Sequence, residues 1–259
     1  MVRPKKKFGQ HFLLDKNICS KIILIFEKQN TVKNVLEIGP GTGALSELLL
    51  ANPSYNCHLL DIDKESIDFL KAKFPSQHDQ IHFIDFLQFD AVHFFHNEPF
   101  SVIGNFPYNI SSQILFKCIE QRNNIETITG MFQKEVAERV AEKPGSKKYG
   151  ILSVFMQAFF DIDYCFTVPP SVFDPPPKVQ SGVITCRRNT TTELNCNEAL
   201  FFKVVKSCFN QRRKTIRNSL KPLLKGTTLE HDLLQERPEQ LSVSQFVELT
   251  NLVTTHLKD

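Results

Sequence analysis

Four short apolar runs, Asn34–Ile38, Asn56–Leu60, Ile81–Ile84 and Phe100–Gly104, carry at or just past their ends the polar residues Glu37, Asp61, Asp85 and Asn105, at intervals of 24, 24 and 20 residues. Runs of this kind read as strands, and the stretches between them, Leu45–Leu50 and Ser66–Phe74, read as helices. Alternating strands and helices predict an α/β fold with a mainly parallel sheet, because parallel neighbours need a crossover to bring the chain back. Ligands of open sheets bind beyond the carboxyl ends of the strands. Any one of the four polar residues alone reads as a surface or capping group; their common place predicts one crevice.

The first run leads into Glu37-Ile-Gly-Pro-Gly-Thr-Gly43, whose glycines allow a sharp turn and close backbone approach before a helix expected from about Ala44. The spacing G-x-G-x-G departs from the G-x-G-x-x-G of nicotinamide-binding folds. An acid follows at Asp61, about where a ribose-binding carboxylate is expected, roughly 20 residues on. With Glu37 suited to a cation and no P-loop lysine, these features point to S-adenosylmethionine, a ligand with a ribose, a sulfonium and an ammonium but no phosphate. Asp85 and Phe86 supply an acceptor for an adenine amino group and an apolar face for its ring.

Gly104-Asn-Phe-Pro-Tyr-Asn-Ile-Ser111 ends the fourth run. Read alone, it is a strand-ending turn with core aromatics. Behind a methyl-donor site it suits a different task. The exocyclic amine of a base is a poor nucleophile, since its lone pair is delocalised into the ring. The Asn105 side-chain oxygen and the Phe106 carbonyl are placed to accept its two hydrogens, Pro107 fixes the turn, and Tyr108 offers a ring for stacking. Such acceptors strengthen as positive charge develops on nitrogen, so they favour the transition state.

Charge points to the partner. The net charge of +3 conceals basic clusters: Arg3–Lys7, Lys143–Lys148, and the segment Lys203–Thr228, which holds eight Lys or Arg and no Asp or Glu. One cluster alone is a solvated surface; three together point to nucleic acid, with Lys147, Lys148, Arg212, Arg213, Lys214 and Arg217 as candidate contacts. From Ala199 to Leu224, Val205, Phe209, Ile216 and Leu220 fall near helical spacing, with Lys206, Arg213, Arg217 and Lys221 on another face. Seven cysteines without a C-x-x-C pair, and histidines without clustering, indicate neither a disulfide framework nor a metal site and fit a reducing cytoplasm. The apolar stretch near the amino terminus is interrupted by Asp15 and Lys16, so neither a signal peptide nor a membrane span is expected.

Lys6–Asp15 (KKFGQHFLLD), Leu36–Ser46 (LEIGPGTGALS), Gly104–Leu115 (GNFPYNISSQIL), Phe132–Val140, Tyr149–Val154, Phe173–Ile184 (FDPPPKVQSGVI) and Phe209–Leu220 (FNQRRKTIRNSL) together resemble segments of the KsgA-type ribosomal RNA adenine dimethyltransferases, nearly end to end. The glycine loop is generic to methyltransferases, whereas the terminal segments are more specific. The chain departs at Phe106, where the family more often has Leu, and at His11, where Asn is common.

The resemblance implies a Rossmann-like, seven-stranded methyltransferase domain over residues 1–187 and a small all-α RNA-binding domain over 188–259. It further implies dimethylation of N6 on two adjacent adenosines in a hairpin loop near the 3′ end of small-subunit ribosomal RNA. The protein would act as a monomer on pre-30S-type particles, leaving S-adenosylhomocysteine and using no metal. By position, Gln10, His11, Phe12, Leu13, Glu37, Gly39, Gly41, Asp61, Ile62, Asp85, Phe86 and Asn105 would line the donor site. Phe173, in the stiff loop Val168–Pro177, would sandwich the flipped adenine with Tyr108. Two other readings are an Erm-like enzyme acting on a large-subunit adenine, against which the terminal segments argue, and an assembly factor whose catalysis is secondary, against which the intact Asn105–Tyr108 motif argues.

Overall fold

The computed structural model describes residues 2–224 and 229–256, so the last residues of the basic segment Lys203–Thr228 lie outside the described residues. The chain divides into two compact units, Met1–Ala137 with Asp161–Arg188, and Glu138–Phe160 with Asn189–Asp259. Residues 138–160, expected in the first domain, group with the second unit.

The strands are β1 (Phe12–Leu13), β2 (Asn34–Ile38), β3 (Asn56–Asp61), β4 (Ile81–Phe83), β5 (Phe100–Asn105), β6 (Ile125–Gln133), β7 (Phe160–Val168), β8 (Phe173–Asp174) and β9 (Ser181–Arg188). Seven form one sheet in the order β4-β3-β2-β5-β6-β9-β7, while β1 and β8 make a separate antiparallel pair. The ladders from β4 across to β6 are parallel and β6–β9 is antiparallel, which is the Rossmann-like, mostly parallel sheet expected. Every residue of β2 is buried, as in a strand covered on both faces.

Packing follows from helical spacing. The helix Lys16–Gln29 starts at Asp15, whose carboxylate accepts from the amides of Asn17 (2.9 Å) and Ile18 (3.1 Å). Cys19, Ile22, Ile23 and Phe26 recur on one face and join Val35, Leu59, Met131 and Val183 in a single apolar cluster. Phe26 is 0% exposed, and burying a side chain of that size contributes about 1.5–3 kcal/mol.

Register then places the chemistry. Pairing of Ile38 with Leu60, Glu37 with Ile103 and Asp61 with Phe83 brings the carboxyl ends of β2, β3, β4 and β5 to one edge, with Asn105 as the last residue of β5.

The second unit is helical, built from Ile151–Gln157, Glu198–Asn210, Ile216–Leu224 and Val243–His256. The periodic stretch Ala199–Leu224 is two helices, with a turn over residues 211–215. Ser207 Oγ donates to Ser219 O (2.8 Å), which ties the second helix to the first, and the Ile216 amide at its start donates to Glu236 O (2.9 Å). Val204, Val205, Cys208, Ile216 and Leu220 are thereby all fully buried. Among the described residues, no helix is long and apolar enough to cross a membrane.

Candidate functional site

The loop after β2 is built on glycine. Gly39, Gly41 and Gly43 have φ of 67°, 55° and 79°, the left-handed region that side chains rarely adopt. A Cβ on Gly41 would stand 2.8 Å from Phe12 Cε1, and one on Gly39 would stand 3.3 Å from Pro107 Cδ. Glycine is needed here both for the turn and for the approach of two other segments. The Gly39 amide is held by Leu60 O at 2.9 Å.

Two carboxylates face the cavity beside this loop. Asp61 Oδ2 accepts from the Gly41 amide (3.3 Å) and Oδ1 from the Asp63 amide (2.9 Å). Burial raises its pKa to about 6, although those amides pull the other way. Glu37 is 1% exposed and its Oε2 has no hydrogen-bond partner among the described residues. Burial, reinforced by the charge of Asp61, raises Glu37 to about 8. A cationic ligand group reverses both shifts, since it stabilises the ionised forms. Ile62, 38% exposed, and buried Phe86 supply apolar wall, and Asp85 caps the turn Phe86–Gln88 through the Leu87 amide (2.9 Å). Glu37, Gly41, Asp61, Ile62, Asp85 and Phe86 line one cavity.

The turn after β5 lines the same cavity. Asn105 Nδ2 donates to His11 O at 2.8 Å. Since a carbonyl only accepts, this bond turns the amide so that Oδ1 points away from His11. The Phe106 amide donates to Met131 O (3.1 Å), and the Phe106 ring is buried against Phe132, 4.9 Å between centroids. It lies over Gly130, where a Cβ would come within 2.0 Å of Phe106 Cε2. Tyr108 is half-buried, bonded through its hydroxyl to Ser181 Oγ, and its ring centroid is 5.3 Å from that of His11.

The structure gathers Gln10, His11, Phe12, Leu13, Glu37, Gly39, Gly41, Asp61, Ile62, Asp85, Phe86, Asn105, Phe106, Pro107 and Tyr108 around this one cavity. Phe173, expected to face Tyr108 across a base, is not among the residues that line this cavity. In the β1–β8 ladder it lies opposite Leu13, and residues directly opposite share a face. Both belong to the apolar cluster, Leu13 4% and Phe173 2% exposed, and of the two only Leu13 also lines the cavity.

The basic candidates lie in the second unit and divide. Lys148 pairs with Glu138 (2.7 Å). Arg212 reaches Glu239 (3.9 Å) and Ser146 O (3.3 Å), and Arg217 donates to Leu229 O (3.4 Å). Lys147, Arg213 and Lys214 are exposed.

Sequence reasoning missed Asp63 and Lys5. Asp63 is 2% exposed and caps the helix Lys64–Lys73. An acid just ahead of a charged amphipathic run was a readable cap signal. Lys5, grouped by sequence with the polyanion-seeking cluster, is ion-paired to Asp63 and, at 3.0 Å, to Glu65.

Comparison with known proteins adds the following. Residues 1–254 match the model of the ribosomal RNA adenine dimethylase family. The chain is 51% identical over 254 residues to the ribosomal RNA small subunit methyltransferase A of Cytophaga hutchinsonii, covering 98% of each protein. A crystal structure of a dimethyladenosine transferase from Plasmodium falciparum superposes with a TM-score of 0.78 at 25% identity, over 95% of this chain and 98% of that one. The 23S rRNA methyltransferase ErmE superposes with a TM-score of 0.67 at 27% identity, over 93% and 99%.

Proposed function

This chain belongs to the ribosomal RNA adenine dimethylase family, and from that premise we propose that it dimethylates N6 of two adjacent adenosines in a hairpin loop near the 3′ end of small-subunit ribosomal RNA, with S-adenosylmethionine as donor. The observation that carries the reading is the Asn105 amide, locked by His11 O so that its acceptor oxygen is turned away from the arm, in the same cavity as Glu37 and Asp61. The preference for the small subunit over an Erm-type large-subunit target rests on the much higher identity to a small-subunit enzyme.

The residues present fit the donor. Glu37, a buried carboxylate with an unpartnered oxygen, suits a cationic group, and Asp61 suits the two ribose hydroxyls. Asp85 accepts from the adenine amino group, with Ile62 and Phe86 as apolar walls, while Gln10, Phe12 and Leu13 close the arm side. When bound, the donor supplies an electrophilic methyl group.

The chain itself supplies position and polarity. Asn105 Oδ1 and the Phe106 carbonyl accept the hydrogens of the target amine, favouring the pyramidal nitrogen of attack. Pro107 holds the turn rigid and the Tyr108 ring stacks on the base once it is drawn out of its helix. No strong general base is required, because the product ammonium loses its proton readily. Arg213 and Lys214, with Lys147, are the surface cations that best suit RNA phosphate. In this reading the partner is a pre-30S-type particle in the cytoplasm. A monomer suffices, because one chain carries the whole cavity.

The decisive experiment measures methyl transfer from labelled donor to small-subunit particles lacking the modification, with large-subunit particles alongside. Dimethyladenosine in the small subunit alone is the expected result. Label in the large subunit, or in neither, overturns the reading.

A further inference from the structure

We propose that the ion pairs of Lys5 with Asp63 and Glu65 are a latch that fastens the amino-terminal arm across the donor cavity and, through the His11 carbonyl, sets the Asn105 amide for reaction. Lys5 and Asp63 are thus positioning residues. The inference rests on the methyl-transfer reading for its chemistry, but its geometry stands alone.

Asp63 has both oxygens committed, and the arm supplies a donor to each. Oδ1 takes Lys5 Nζ, and Oδ2 takes Gln10 Nε2 at 3.0 Å. The arm is also tied to itself and to the neighbouring acid: the Lys5 amide donates to Gln10 Oε1 (2.8 Å), and the Arg3 amide to Glu65 Oε1 (3.2 Å). On its other side, Asp63 gives its own amide to Asp61 Oδ1 (2.9 Å), so one residue joins the arm to the carboxylate assigned to the ribose. With Asp63 only 2% exposed, a missing Lys5 leaves a buried carboxylate beside Asp61 without its cation, an arrangement that costs far more than losing a surface pair.

On either side of Gln10 the same arm meets the turn after β5. A Cβ on Gly9 would stand 2.7 Å from Asn109 Oδ1, so the arm passes closely over the turn after β5, and Asn109 Nδ2 donates to Lys7 O (3.3 Å). The imidazole Nδ1 of His11 lies 2.6 Å from Pro175 O, and β1 continues the arm onto β8. Between these ties the His11 carbonyl receives Asn105 Nδ2. An Asn amide turned by half a rotation offers a donor where it had offered an acceptor. Its orientation therefore depends on where the arm lies, and the latch fixes where the arm lies.

The same geometry removes Lys5 from the RNA-facing cations. Its ammonium sits between two carboxylates rather than facing out with the rest of the basic cluster.

The test compares Lys5→Ala, Lys5→Arg, Asn105→Ala and the Lys5→Ala/Asn105→Ala double variant. Lys5 and Asn105 both lie outside the buried core, and each variant is first shown by circular dichroism and denaturant unfolding to be folded under the assay conditions. Expected for Lys5→Ala is a single-turnover rate about 10-fold or more lower at saturating donor and particle, as for a slightly misplaced reacting group. Donor affinity falls several-fold, and particle affinity with its salt slope is unchanged. Lys5→Arg, which keeps the ion pair, restores most of the rate. In the Asn105→Ala background Lys5→Ala costs little more, because the group it positions is gone. Weaker particle binding with a flatter salt slope and an unchanged saturated rate would make Lys5 an RNA contact and overturn the proposal. So would full additivity, or no change at all. Wild-type turnover tests the activity separately: if the wild type methylates no particle, that reading fails, and unaltered donor affinity in Lys5→Ala then refutes the latch on its own terms.

Discussion

Replacing Glu37 by Gln tests the electrostatics of the cavity. In the fold Glu37 is raised from about 4.5 to about 8, first by burial and then by the charge of Asp61. A raised carboxyl pKa means that the folded chain holds a proton that the unfolded chain releases. The stability this group contributes is therefore fully present below about pH 4.5 and is lost as pH rises through 8. At up to about 1.4 kcal/mol per pH unit, tapering at both ends of the interval, the wild type loses on the order of 3–4 kcal/mol between pH 5 and pH 8 from this residue alone. The carboxamide that replaces the carboxyl does not titrate, so Glu37→Gln should gain about that much stability relative to wild type over the same interval. Asp61, raised in the same direction to about 6, is present in both proteins and largely cancels. The assay is guanidinium unfolding of both proteins without donor, at pH 5 and pH 8, with equal slopes confirming comparable transitions. A wild-type-to-variant difference that is the same at both pH values would refute the reasoning. The opposite effect is expected in binding: Glu37→Gln weakens S-adenosylmethionine about 10-fold or more, as for loss of a charge-assisted contact, and S-adenosylhomocysteine, which lacks the sulfonium charge, by less.

Three further outcomes follow from the geometry. Asn105→Ala should lower the single-turnover rate about 10²–10³-fold while donor affinity, read by calorimetry, stays within about twofold; near-normal turnover would remove Asn105 from the chemistry. Gly130→Ala places a methyl group 2.0 Å from the Phe106 ring and should cost about 1–3 kcal/mol in denaturant unfolding, with part regained in the Phe106→Leu/Gly130→Ala double variant; simple additivity of the two changes would show that the rings and glycines are not one packed unit. Arg213→Ala/Lys214→Ala should weaken particle binding and flatten its salt dependence by up to about 0.7–0.9 log units per lost phosphate contact, whereas parallel salt series for variant and wild type would mean that the pair touches no RNA.

Much of the cavity was legible because its determinants are local. A run such as Asn34–Ile38 ending in Gly39, Gly41 and Gly43 specifies strand and turn through dihedral preference alone, and the strand-to-strand cadence placed Glu37, Asp61, Asp85 and Asn105 at one edge. The contacts that finish the site join residues distant in sequence, and no local rule supplies them. Asn105 is oriented by His11 across 94 residues, and Asp63 recruits Lys5 across 58. Charge counting placed Lys5 among the phosphate-seeking residues, because composition records a side chain's charge but not its partner. Burial of Phe173 was hidden for a related reason: a proline-bounded aromatic looks presented to a ligand, yet it is 2% exposed and packs in the apolar cluster with Leu13. The break at residues 211–215 was hidden too, since apolar spacing ran on through it, and the bond from Ser207 Oγ to Ser219 O is what ties the second helix to the first. Sequence by itself determined which elements form and which chemical groups reach the sheet edge, through backbone preference and hydrophobic period. Tertiary structure alone decided which way each group points and which charges are already neutralised, because orientation and pairing are set by neighbours that only the folded chain brings within a hydrogen bond's length.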